Sequence, residues 1–392
     1  MTATTRRAAA AGEDLSGEEL VALLRRAFAP RPEDSAVAIL VDLPDEVLGD
    51  NDDWRERRRI AQGWARLLAE REKELGLATR LYVYRNAHAN NAQLPEEAFL
   101  LEGGMPADAA AAKAALPATS FAEVFAENSI LLAPTELSAT APLKLAAKQH
   151  GFRAATLPGF NRLMIPALRL DYGEVDRRVR KLKALVDQAD QAEIEFKAEG
   201  QIYHLVLDLR GQKGFASSGF LAEPGVAGNL PSGEAYIVPR EGRHGQPSLS
   251  KGILPVELAG ELVLYQIENN QAVSVLSQGE VSRAEAKHLA DDPAYGNLAE
   301  LGLGVLDEFG IAPIGETLLD EKLGLHIAFG RSDHFGGSVG PGDFRSPDTV
   351  VHIDRVYVPA IQPRIEVPKV DLRFGGESKP LMRDFKYVCG WD

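Results

Sequence analysis

The alternation of apolar and polar positions changes character once along this chain, near residue 191. Before that point, apolar runs alternate with amphipathic helical stretches. Residues 13–28 carry apolar positions at helical spacing behind Ser16 and Glu19, the three-residue offset of a capping box. "AVAILVDLP" (36–44) is a nearly continuous apolar run closed by a proline, the pattern of a strand buried on both faces. The same reading predicts a charged amphipathic helix over 53–75, a strand over 79–86, helix over 106–126 and a strand over 129–136. A helix over 140–150, a short strand in "RAATLPG" and a helix over 173–190 follow. Strands alternating with helices predict an α/β N-terminal domain, residues 1–190, with a parallel sheet covered on both faces.

From residue 191 the period becomes two. "AEIEFKAEGQIYHLVLDLRG" alternates and turns at Glu199-Gly200, a hairpin signature. Beyond it glycine and proline are frequent, strands short and helical stretches few. A β-rich α+β domain, residues 191–392, is expected to follow and to carry the catalytic chemistry.

Net charge narrows the partners. At −14 the chain lacks the basic surface that phosphate neutralisation needs, so nucleic acid is excluded as a general partner. No stretch has the length of apolar residues that spans a membrane, and the N-terminus turns acidic before any apolar run of signal-peptide length. A cytoplasmic protein is expected. The single cysteine, Cys389, permits no intrachain disulfide, so any bound metal must rest on oxygen and nitrogen donors.

Those donors cluster in the second half. Glu234 follows the tight "GNLPSG" turn at the start of an apolar strand, where an exposed glutamate is an equally common reading. Glu300 lies in "YGNLAELGLGVL", and a carboxylate inside so apolar a segment is costly to bury without a cation or strong donors. Glu321 and His326 are five apart, an offset that cannot place both on one face of a regular strand. A bend or bulge at Gly324 is expected to bring them together. His352 and Asp354, two apart in "VVHIDRVYV", point the same way on a strand, although a histidine satisfied in the core explains any single such pair. Together, four acids and two imidazoles without thiolates suit a pair of divalent ions such as zinc, cobalt or manganese, and hence a metal-activated water. His204 reads as structural, and His150 and His288 as surface. Arg331, Arg355, His334 and Tyr357 are candidates for substrate or supporting contacts.

The order "NLPSGE…AELG…DEKLGLHIAFG…HID" resembles the thermophilic-type metalloaminopeptidases, the aminopeptidase T and aminopeptidase S family, over roughly residues 155–360. The resemblance implies a homodimeric enzyme with two metal ions held by Glu234, Glu300, Glu321, His326, His352 and Asp354. Glu300 would be the bridging or base-like carboxylate, and the substrate a small peptide or amide. The family carries a tyrosine seven residues after the histidine of the fourth motif. Here that position is Asp333, so His334 is expected to supply the missing donor. The same superfamily includes 2,5-dihydroxypyridine dioxygenases with one ferrous iron, which His326, His352 and Asp354 could also hold. A non-catalytic binding protein on a peptidase scaffold is the third reading.

Overall fold

The computed structural model describes residues 14–243, 245 and 247–391. They form two compact units. The first comprises the described residues up to Val175 together with Gly219–Ser232; the second comprises Asp176–Ser218 and the described residues from Gly233 onward. The division therefore falls inside the helix Tyr172–Gln188 rather than at 190/191, and a later segment returns to the first unit. Local periodicity carries no trace of that return, because it depends on a pairing between residues far apart in sequence.

In the first unit, strands β1 (Ala36–Leu43), β2 (Ala78–Arg85), β3 (Glu97–Leu100), β4 (Ala118–Ser120), β5 (Ile130–Ala133) and β6 (Arg153–Thr156) join β10 (Ala227–Asn229). Their order is β10-β6-β5-β1-β2-β3-β4. The five strands from β10 to β2 are parallel, as the alternation of strand and helix requires, whereas β3 and β4 add an antiparallel edge. The helix expected over 106–126 is two helices, Ala109–Ala115 and Phe121–Glu127. Pro117 lies between them, where a missing N–H stops helix propagation, and Ser120 with Glu123 opens the second through a capping box. The helix expected over 53–75 likewise divides into Asp52–Ala69 and Glu72–Leu75. Leu40, Tyr82, Phe121, Phe125, Leu131 and Phe152 lie in one buried cluster of this unit.

The second unit is built of two antiparallel sheets. Strands β7 (Gln191–Ala198), β8 (Gln201–Asp208), β12 (Lys251–Leu258), β13 (Glu261–Glu268), β14 (Gln271–Val275), β18 (Ile365–Phe374), β19 (Glu377–Arg383) and β20 (Lys386–Tyr387) form the larger. Strands β9 (Gly214–Ser217), β11 (Glu234–Ile237), β15 (Leu298–Gly304), β16 (Leu325–Gly330) and β17 (His352–Val356) form the smaller, in the order β17-β16-β15-β11-β9. One face of the smaller sheet packs on the larger: the Phe329 ring lies 5.0 Å from Tyr265. Tyr357, just past β17, sits 4.8 Å from Phe196 and donates to Pro255 O at 2.8 Å. Tyr357 is thus a core residue rather than a substrate contact. The α/β unit followed by a β-rich unit agrees with the fold class expected from the sequence. No helix among the described residues is long and apolar enough to cross a membrane.

Candidate metal centre

Directly paired residues of antiparallel strands share a face. Glu300 pairs with Ala328 and Ala328 with Asp354; Gly302 pairs with His326; Gly330 pairs with His352; Glu234 pairs with Gly304. Glu234, Glu300, His326, His352 and Asp354 therefore all project from the face of the smaller sheet opposite the core. Gly302, Gly304, Ala328 and Gly330, interleaved with them on that face, leave room for them. Leu301, Leu303, Ile327 and Phe329 take the opposite, buried face.

Glu300 reaches this face through an irregularity. Leu298 pairs with Phe329 on the core side, yet Glu300 pairs with Ala328, so Ala299 is an extra residue in β15. Such a bulge re-aims the side chains beyond it. The bend expected at Gly324 takes another form. Glu321–Leu323 is a single 3-10 turn ahead of β16, and Gly324 itself is extended. The turn lies directly over Gly304, where a Cβ would overlap the Lys322 backbone. This close approach brings Glu321 and Lys322 beside Glu234. Gly302 plays the same part under His326, because a Cβ there would overlap the imidazole. Gly302→Ala is accordingly expected to displace the ring and weaken zinc binding by about 10–100-fold, the usual range when a ligand loses its support. Calorimetric titration of the stripped protein measures it; an unchanged affinity would show that the ring can move at no cost.

Two groups of donors result, each with ligand atoms within 4.8 Å of one another: Glu234, Glu300 and His326, and Glu300, His352 and Asp354. Glu300 belongs to both. His326 Nε2 lies 3.2 Å from Glu300 Oε1 and 3.5 Å from Glu234 Oε2. His352 Nε2 lies 3.4 Å from Glu300 Oε2 and 3.5 Å from Asp354 Oδ1. The other ring nitrogen of each histidine faces a backbone carbonyl, Gly324 O at 3.4 Å and Arg331 O at 2.8 Å. That contact aims Nε2 into the cluster, as it does for metal-bound histidines. Glu321 is in neither group. Its carboxylate is bonded to the Lys322 ammonium, and it also hydrogen-bonds Asp354.

The electrostatics are those of an anionic pocket. Burial raises the Glu234 and Glu321 carboxyls, with Lys322 opposing both. Burial works against ionised Glu300 as well, but hydrogen bonds from His326 and His352 hold it below the usual range. Burial would lower both imidazoles, yet the carboxylates push His326 up to about 9 and His352 up to about 11. Both rings are then imidazolium at neutral pH. Glu234 Oε2 is buried with no hydrogen-bond partner among the described residues. Buried carboxylates with an orphaned oxygen, held by two protonated imidazoles and the Lys322 ammonium, fit a divalent cation that would displace the imidazole protons.

The remaining expected residues separate. His334 lies on the loop after β16, its ring 5.5 Å from that of His352 and 4.0 Å from Phe335. Burial and the charges of His352 and Arg331 hold its pKa below the usual value, so it is neutral at pH 7. Asp333 is engaged by Arg331 at 2.5 Å. The loop is anchored by Glu241, which accepts from Ser338 N at 2.6 Å and from Asn297 Nδ2 at 3.0 Å. Arg355 alternates with Asp354 and so faces the other way, 3.3 Å from Tyr295 OH and near Glu285. It is not at the candidate centre. His204 is exposed on β8.

Tyr236 went unnoticed in the sequence. It lies two residues beyond Glu234, opposite Gly302, and so shares the ligand face. Its ring stacks on Phe215 at 5.4 Å and meets Phe335 edge-on at 5.1 Å. Burial and the charges of Glu300 and Glu234 raise its phenol, which stays protonated. The period of two from Glu234 was the available signal.

No protein-family model matches the sequence, and comparison with curated proteins gives no match. Comparison of structures defines a fold shared by enzymes of two reaction classes. A 2,5-dihydroxypyridine dioxygenase from Pseudomonas putida KT2440 superposes with a TM-score of 0.59 at 14% identity, covering 96% of this chain and 99% of that one. Wild-type AmpT (aminopeptidase T) from Thermus thermophilus superposes with a TM-score of 0.52 at 20% identity, covering 95% of this chain and 99% of that one. At these identities the likeness is one of fold.

Proposed function

We propose that the chain is a metal-dependent hydrolase that cleaves the terminal amide bond of a small peptide-like substrate. The observation that carries this reading is the pair of donor groups sharing Glu300, made only of carboxylates and imidazoles, on one face of one sheet. Glu234 and His326 would serve one side, His352 and Asp354 the other, with Glu300 between. The fold shared with AmpT supports the same reading. Zinc, cobalt or manganese suits this donor chemistry. What a divalent ion supplies in such a place is an acidified water and positive charge against a developing oxyanion. The chain's own residues supply the rest. Glu300 sets the spacing of the two groups, the Nδ1 contacts hold both imidazoles in orientation, and His334 and Tyr236 offer neutral hydrogen-bond donors beside them. Protein stripped by chelator and reloaded with each metal is expected to release p-nitroaniline from an aminoacyl p-nitroanilide, and to lose that activity on renewed chelation.

A second reading rests on His326, His352 and Asp354, a two-histidine, one-carboxylate set of the kind that holds ferrous iron in oxygenases, and on the fold shared with the dioxygenase. Oxygen uptake with 2,5-dihydroxypyridine and ferrous iron, without amide cleavage by any metal form, would select it. Failure to retain any metal would leave a binding scaffold.

A further inference from the structure

Lys322 was not among the expected ligands, yet it stands inside the cluster. Its side chain is 4% exposed, and its ammonium is bonded to one oxygen of Glu234 and one oxygen of Glu321. The turn lying over Gly304 delivers it there. Among the residues of the two donor groups, the ammonium pairs directly with Glu234 alone. At the other end, no lysine or arginine among the described residues pairs with Glu300 or Asp354, whose partners are the two imidazoles and Glu321. A carboxylate already bonded to a fixed cation has less potential left for a second one. A unit charge a few ångströms away, at an effective dielectric between that of water and of a dry interior, changes the affinity for a dication by about a hundredfold.

Resting on the metal-centre reading above, we propose that the two ends bind divalent cations unequally and that Lys322 sets the difference. Glu300, His352 and Asp354 form the tight subsite. Glu234, with Glu300 and His326, forms a loose one, which takes its ion against the Lys322 charge and releases it first. Lys322 also engages one oxygen of Glu321, which belongs to neither donor group and hydrogen-bonds Asp354. The centre then changes from one ion to two as the free metal concentration rises.

Calorimetric titration of chelator-stripped protein with zinc chloride, checked by metal analysis after dialysis, reads this directly. The wild type is expected to show two steps at least about a hundredfold apart. Lys322→Gln should bring them within about tenfold by strengthening the second, whereas Lys322→Arg, which keeps the charge, should leave them apart. His352→Ala should remove the tight step and keep the loose one. Two equal steps in the wild type overturn the inference, and that measurement needs no variant to fold. Equal separation in the Gln variant and the wild type overturns it too. Either result leaves the hydrolase reading standing, whereas absence of zinc binding defeats both.

Discussion

Alanine in place of His352 or of Glu300 is expected to abolish turnover of any aminoacyl amide that the wild-type protein cleaves. Both side chains reach into the donor cluster, and Glu300 belongs to both of its halves. Removing a ligand removes the water activation from which metal catalysis draws its rate. The fold should survive in each case for a different reason. His352 begins β17, the edge strand of the smaller sheet, and is only partly buried. Glu300 is 3% exposed on an interior strand; its loss leaves the apolar face of β15 intact, and the two imidazoles that paired with it can release their protons rather than remain as buried charges. Near-ultraviolet circular dichroism checks the fold and metal analysis checks the ligand role. Full activity in either variant, with metal content unchanged, would falsify the site assignment.

Loss of the imidazole of His334 is expected to lower turnover by about 10²–10⁴-fold, the range associated with a positioned acid or base, with metal content unchanged. The side chain is 39% exposed, so substrate can reach it, and its ring is beside that of His352. Its neutral imidazole keeps one N–H to donate at pH 7. Asp333, where the aminopeptidases that the sequence resembles carry a tyrosine, is engaged by Arg331 and has no proton to give. His204→Ala is the control: that side chain is 71% exposed on the larger sheet and should be nearly neutral. Full turnover in His334→Ala on a substrate that the wild type cleaves would make Tyr236 the remaining donor on the ligand face, to be tested as Tyr236→Phe.

The ordered motifs, the hairpin at Glu199-Gly200 and the capping box at Ser16 were legible in the sequence because each depends on residues within one turn or one strand. So was the shared direction of His352 and Asp354, since a strand's period of two is a local property. The sequence also determined the kind of chemistry on offer: with a single cysteine, a metal would rest on oxygen and nitrogen donors. Pairing between distant strands decided the rest. The extra residue in β15 that turns Glu300 toward His326 exists only relative to its register with β16. The need for glycine at 302 and 304 comes from the imidazole and the Lys322 turn that lie over them, which no local pattern reveals. Arg355 read as a neighbour of the ligands and faces away from them, next to Glu285 and Tyr295. Lys322 drew no notice in the sequence and is buried between two carboxylates. A charged side chain's cost and partners depend on what surrounds it in three dimensions, and here that surrounding is assembled by contacts spanning up to 88 residues.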